Sequence, residues 1–211
     1  MLFRSRDIAG VVLGMQLLEP GFEVADVAPT TVGRFRLPNT DPEIDAALDR
    51  ALAASELHVV DVELPGWTAA FASNGVILIA EAWQANGHLL GCDGLGDEVA
   101  TRIELGRAMT PENVEQAEAG RRAWKQELAD AFARVEIIAL PTMSTFPVPI
   151  DASQEFDLTT GTGPVNLAGI PALALPVPTE GRLPASLQLL GPHNSEDLLL
   201  AAGRVIESAV T

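Results

Sequence analysis

Apolar positions near the start of the chain recur as Ile8, Val11, Val12, Met15 and Leu18, the spacing of one helix face, and predict an amphipathic helix. Two arginines ahead of this run suggest a signal peptide, but Asp7 interrupts the basic region and no small-x-small cleavage site follows closely. The pattern then changes period. "TTVGRFRLP" (30–38) reads as a short strand closed by Pro38, and Ile44, Leu48 and Leu52 recur every four residues in a helix over about 41–54. Thr40 with Glu43 three residues on has the form of a capping box, and Pro42 suits a first helical turn. "ELHVVDVELP" (56–65) is the next strand, so residues 31–65 read as a βαβ unit with parallel strands.

Residues 68–90 predict a long apolar helix carrying Glu81, and "GCDGLGDE" (91–98) a loop. "TPEN" (110–113) caps a second long helix, to about 134, whose stripe runs through Val114, Ala117, Arg121, Trp124, Leu128, Phe132 and Val135. Arg121 is the one charge on that stripe. "VEIIALPT" (135–142) is apolar almost throughout, as expected for a strand in a sheet covered on both faces. "FPVPIDASQEFDLTTGTG" (146–163) has no regular period, and a loop that long inside a compact domain is more often functional than decorative. After "GPVNLAGIPALALPVP" (163–178) come a hairpin across "TEGRLP", a strand "ASLQLLG" (185–191) and a last helix capped by Asn194 or Ser195, with Leu199, Ala202, Ile206 and Ala209 on its apolar face.

With 211 residues and 47% hydrophobic content, the chain is globular, and a single domain over 1–211 accommodates every element. The 13 basic and 29 acidic residues leave a formal charge of −16, which disfavours nucleic acid and anionic membrane surfaces as partners. The charge run from Asp41 to Glu56 is most simply a solvated helix face. One cysteine, Cys92, permits no internal disulfide, which fits a reducing, cytoplasmic compartment. No apolar run reaches the length of a membrane span.

The usual signatures of chemistry are missing. His58, His88 and His193 do not share metal-ligand spacing, and Cys92 has no cysteine partner, so no metal and no cofactor is expected. Asp93, Asp97 and Glu98 lack the alternating-acid pattern of a calcium loop. There is no G-x-G-x-x-G, no G-x-S-x-G elbow and no Ser-x-x-Lys dyad. The only lysine, Lys125, lies in the charged helical stretch "RRAWKQE" and reads as a solvated surface residue.

"PVNLAGIPALALPVP…GRLPASLQLLGPHNSEDLLLAAGRVIE" (164–207) resembles the C-terminal segment of the amidase signature family in order and spacing. Asn-x-x-Gly-x-Pro-Ala precedes an apolar strand, and a Leu-Gln-x-x-Gly-Pro strand end leads to a Ser-Glu-x-x-Leu helix start. Upstream, "ARVEIIALPT" is similar to the family's strand before a Pro-rich loop, with Glu136 where an Asp is more usual. "AEAGRRAWKQELADAF", "DPEIDAALDRALAASELHVVDVELP" and "FRSRDIAGVVLGMQLL" extend the likeness over nearly the whole chain, although Asp7 lies closer to Arg4 than the usual spacing.

The resemblance implies an α/β fold, a mixed and mostly buried sheet covered by helices on both faces, corresponding to the second half of a full-length member. It implies amide hydrolysis by acyl transfer to a serine, with a Ser-Ser-Lys triad in the first half. This sequence has no Gly-Gly pair, no Ser-Ser pair and no second lysine, so no catalytic residue is carried over and the chain alone is expected to be inactive. The family's loop before the Asn-x-x-Gly motif borders the substrate cleft, which makes Thr160, Thr162 and Asn166 candidates for lining a pocket. Asn166 has a second reading as a residue that caps a turn on local backbone. Members that take glutamine tend to carry an acid in this loop; Thr159 and Thr160 stand about there, which disfavours glutamine, although Asp157 is close. A small amide is then the expected partner if an N-terminal half completes the site. A non-catalytic binding or vestigial module is the alternative. Raw strand edges and an uncovered core face predict self-association of the isolated chain.

Overall fold

The computed structural model describes residues 4–150, 158–181 and 183–211. Five strands form one sheet in the order β2-β1-β3-β5-β4, with β1 Thr31–Arg34, β2 His58–Asp61, β3 Ile137–Pro141, β4 Ala172–Val177 and β5 Ala185–Leu190. β1 runs parallel to β2 and β3, whereas β5 runs antiparallel to both β3 and β4. The sheet therefore changes from parallel to antiparallel at β3, whose five residues are all buried. The expected βαβ unit is present, its crossover being α2 (Pro42–Ala54).

Helices cover both faces. Ile8 and Val12 of α1 (Ile8–Leu18), Ile44, Leu48 and Leu52 of α2, and Leu199 and Ile206 of α7 (Glu196–Val210) pack on one face with Val32, Ile137 and Leu187. On the other face, Trp67 and Ile77 of α3 (Trp67–Asn86), Trp124 and Leu128 of α5 (Pro111–Phe132) and Val165 of α6 (Gly163–Ala168) pack against Ile138, Leu140 and Leu190. α5 begins at "TPEN" as expected, and the cap is a capping box, Thr110 and Asn113 exchanging side-chain and backbone hydrogen bonds.

Several elements differ from expectation. The N-cap of α2 is Asp41, whose carboxylate accepts from the Glu43 amide at 2.9 Å, while the Thr40 hydroxyl turns back to the Leu37 carbonyl at 2.7 Å. A further helix, α4 (Asp97–Arg107), follows the Gly-rich loop; only Ile103 and Gly106 in it are buried, so it leaves almost no periodic trace. Ser195 is the N-cap position of α7, but its hydroxyl donates to the Pro192 carbonyl and accepts from no amide of the helix among the described residues, and Ala209 is exposed. On α5, Arg121 donates to Glu118 at 2.8 Å, and its Nε is buried without a partner among the described residues.

α1 lies where the periodicity places it but is not amphipathic. Its eleven residues, IAGVVLGMQLL, include no charge, and Leu13, Leu17 and Leu18 remain exposed opposite the buried Ile8 and Val12.

Candidate functional site at the end of the central strand

In open α/β sheets ligands bind outside the carboxyl ends of the strands where the strand order reverses, and here β1 has β2 on one side and β3 on the other. The end of β3 is at that place, and the segment 158–162 crosses it. Gly161 lies so close to β3 that a Cβ would sit 2.3 Å from the Thr142 carbonyl oxygen and 2.8 Å from that of Pro141. Thr142 is in turn tied to the start of β5, its amide donating to the Ser186 carbonyl at 2.9 Å and its Oγ1 accepting from Ser186 Oγ at 2.8 Å.

Three long-range donors hold this segment and the first turn of the helix that follows it. Trp67 Nε1 donates to the Thr160 carbonyl at 3.0 Å, Gln188 Nε2 to the Gly161 carbonyl at 2.8 Å, and Trp124 Nε1 to the Pro164 carbonyl at 2.8 Å. The two indoles meet edge to face with centroids 5.5 Å apart, and Phe35 packs on Trp67 at 4.9 Å. Each indole thus buries its rings in the core while its one N–H finds a backbone carbonyl acceptor, Trp67 in the segment before α6 and Trp124 in the first turn of α6.

Of the three residues singled out from sequence, Thr160 and Thr162 lie on this segment and Asn166 on α6, which follows it. Thr160 is half-buried and engages Trp67 through its backbone. Thr162, also half-buried, stands at the N-cap position of α6; among the described residues its hydroxyl makes a long contact of 3.4 Å to the Thr159 carbonyl. Asn166 is exposed on α6. Its carbonyl accepts from Gly169, the left-handed residue (φ 69°) that ends the helix, so its backbone, not its amide, serves the turn. Asp157 lies outside the described residues.

A second polar constellation is invisible to residue spacing. Arg34 on β1 is 1% exposed, and its guanidinium meets Asp45 and Asp49 of α2 and the Phe35 carbonyl. Arg36 donates to the other oxygen of Asp49 at 3.0 Å. Part of the Asp41–Glu56 charge run therefore faces the sheet: Asp45 and Asp49, four residues apart on one helix face, clamp a buried arginine. Burial pushes the Asp49 carboxyl up, but the hydrogen bonds from Arg34 and Arg36 outweigh it and hold the group below its ordinary value. The Asp49 hydrogen bond in turn raises Arg36.

Two cavities are formed elsewhere. One of about 420 Å³ lies among α3, α4 and α5, lined by Trp83, Gly106, Met109 and Val114; the other, of about 370 Å³, lies beside Arg34, Asp49, Leu57 and Val59. Thr160, Thr162 and Asn166 line neither. Among the described residues no group of three or more His, Cys, Asp or Glu is placed to hold a metal ion, and no helix is long and apolar enough to cross a membrane.

The family model described as Amidase matches residues 34–200. The chain belongs to the amidase family. It is 30% identical to a glutamyl-tRNA(Gln) amidotransferase subunit of Halobacterium salinarum, over 74% of this chain and 44% of that one. It is also 30% identical to the corresponding protein of Thermus thermophilus, over 91% of this chain and 48% of that one. A crystal structure of an amidase superimposes with a TM-score of 0.88 at 23% identity, covering 98% of this chain and 52% of the other. A structure of 6-aminohexanoate cyclic dimer hydrolase with its substrate gives 0.75 at 18%, covering 98% and 54%. The amidase fold is thus present over the whole described chain, which spans less than half the length of these two curated relatives.

Proposed function

We propose that this chain is the C-terminal portion of an amidase signature hydrolase, contributing sheet strands and one wall of the substrate cleft. In the reaction, an amide carbonyl is attacked by a serine, the amine leaves, and water releases the acid. Serine, second serine and lysine are supplied by another polypeptide segment, and this chain alone turns over no amide. One observation carries the reading: 98% of this chain overlays an amidase at a TM-score of 0.88 while accounting for 52% of it. The bounds of the portion are those of the single domain 1–211, and the compartment is cytoplasmic, in keeping with the single cysteine.

The wall is the segment 158–168. Its backbone carbonyls at Thr160, Gly161 and Pro164 are engaged by Trp67, Gln188 and Trp124, which leaves side chains to meet substrate. The Thr162 hydroxyl and the exposed Asn166 amide then offer donors and acceptors to a substrate amide. The substrate is a small amide.

Ammonia release from simple amides tests this in two arms. The purified chain is expected to give none above a mock preparation. Joined to the part of the Thermus thermophilus relative that it does not match, it is expected to gain turnover whose KM rises several-fold in Asn166→Ala. Turnover by the chain alone overturns the reading.

A further inference from the structure

We infer that the hydroxyl pair of Thr142 and Ser186 is a further substrate-binding group, and that it selects amides carrying a second, uncharged carbonyl. The inference rests on the reading of residues 158–168 as a wall of the substrate cleft. Both residues stand where the closed core opens. Every residue of β3 is buried, Thr142 just beyond it is half-buried, and Ser186 is the one residue of β5 that is not fully buried. Thr142 extends the β3–β5 register by one step, its amide donating to the Ser186 carbonyl. Side chains alternate across a strand, so the pair shares a face with Leu140 and Gln188, which lie opposite each other further in. Leu140 packs in the cluster of α3, α5 and α6, and Gln188 holds the Gly161 carbonyl. The pair therefore lies on the side of the sheet that residues 158–162 cross.

Proton counting gives the pair its use. Each hydroxyl is both a donor and an acceptor, so the pair holds two protons. One lies in the 2.8 Å bond between the two Oγ atoms, and the other has no acceptor among the described residues. The neighbouring strand offers none: opposite Gln188 and Ser186 it presents Ala174 and Pro176, both exposed and without a polar side-chain atom. The free proton is left to a group that enters from outside the sheet.

Charge decides which acceptor suits it. The pair is neutral, and no arginine or lysine hydrogen-bonds to it among the described residues. A carboxylate seated there would lose water without gaining a counter-charge, in a chain that already carries −16. A carbonyl oxygen accepts a hydroxyl proton without that cost. With Thr162 and Asn166 turned to the scissile amide, the pair is free for a second carbonyl of the same molecule.

Titration of the full chain with levulinamide, which has a second carbonyl, and with pentanamide, its counterpart without one, tests the proposal by amide NMR. Levulinamide should shift the Thr142 and Ser186 amides and bind several-fold tighter than pentanamide. Succinamate, with a carboxylate in place of the ketone, should bind no better than pentanamide. Thr142→Val with Ser186→Ala should abolish the preference, whereas Thr142→Ser, which keeps a hydroxyl, should retain it. In the chain joined to the unmatched part of the Thermus thermophilus relative, the same preference should appear in kcat/KM. A joined protein without turnover would count against the amidase reading, while the NMR preference still decides the role of the pair. Equal binding of levulinamide and pentanamide, a preference that survives the double change, or tighter binding of succinamate would overturn the proposal.

Discussion

The indole nitrogen of Trp67 donates to the backbone carbonyl of Thr160 at 3.0 Å, across 93 residues of sequence. This bond joins the first residue of α3 to the segment that crosses the end of β3. Trp67→Phe keeps most of the ring packing with Phe35 and Trp124 but leaves a part-buried carbonyl without its donor. It should cost about 1–2 kcal/mol in denaturant unfolding. Amide exchange should quicken in residues 158–162 more than in β3; equal change in both would mean that the bond does not tether the segment.

Arg34 is a single buried guanidinium shared by two carboxylates. Arg34→Met leaves Asp45 and Asp49 facing an apolar hole. The side chains of the two acids are 24% and 41% exposed, so they partly rehydrate, and the loss should fall at the low end for a broken buried pair, about 3 kcal/mol. Asp45→Asn retains Asp49 and should cost about 1 kcal/mol. Chemical denaturation of both variants checks the order.

Glu136 Oε2 accepts from the Thr30 amide and hydroxyl, both at 2.7 Å, and from the Thr31 amide at 2.9 Å. The Thr30 hydroxyl, with help from the Thr31 amide, holds the carboxyl below its ordinary value. A depressed carboxylate stabilises the fold above its unfolded pKa, and that contribution fades as pH falls through the folded pKa. Glu136→Gln should therefore melt below wild type at pH 7, and the gap should close below about pH 4. Because Glu136 is exposed, the gap at pH 7 should stay under about 1 kcal/mol.

Gly161 leaves no room for a Cβ between its backbone and the carbonyls of Pro141 and Thr142. Gly161→Ala must displace the segment or the end of β3, at about 1–3 kcal/mol. On the proposed reading of Thr162 and Asn166, the same change should also raise KM when the chain is joined to the part of the Thermus thermophilus relative that it does not match. A melt and kinetics equal to wild type would refute the close packing.

What the sequence made legible was what local pattern encodes. Four-residue spacing of Ile44, Leu48 and Leu52 between two short strands led directly to β1, α2 and β2, and Thr110 with Asn113 placed the start of α5. α4 was missed because a helix with two buried residues has no stripe to read, and α6 because six residues are too few to show a period. The arginine clamp was missed for another reason. Asp45 and Asp49 look like any solvated helix acids until β1 is laid against them. At the candidate site, the threonines fell on one segment and Asn166 on the helix after it, but what holds this stretch acts through carbonyl oxygens, which residue identity does not report. Its donors, Trp67, Trp124 and Gln188, come from three distant elements.

The parallel neighbours β1 and β3 carry a consequence for how the molecule is made. Thr31 and Glu136 are 105 residues apart in sequence, yet they bond at the edge of the same strand pair. On a ribosome, β1, α2 and β2 can close into a local unit early, while the inner edge of β1 waits through the synthesis of α3, α4 and α5 for β3 to arrive. Such long-range parallel pairing is slow, and the waiting edge is open to wrong partners. The β4–β5 hairpin with α7 can form almost as soon as it is made. The central strand is therefore the last seam to close, and the time it takes should set the folding rate of the whole chain.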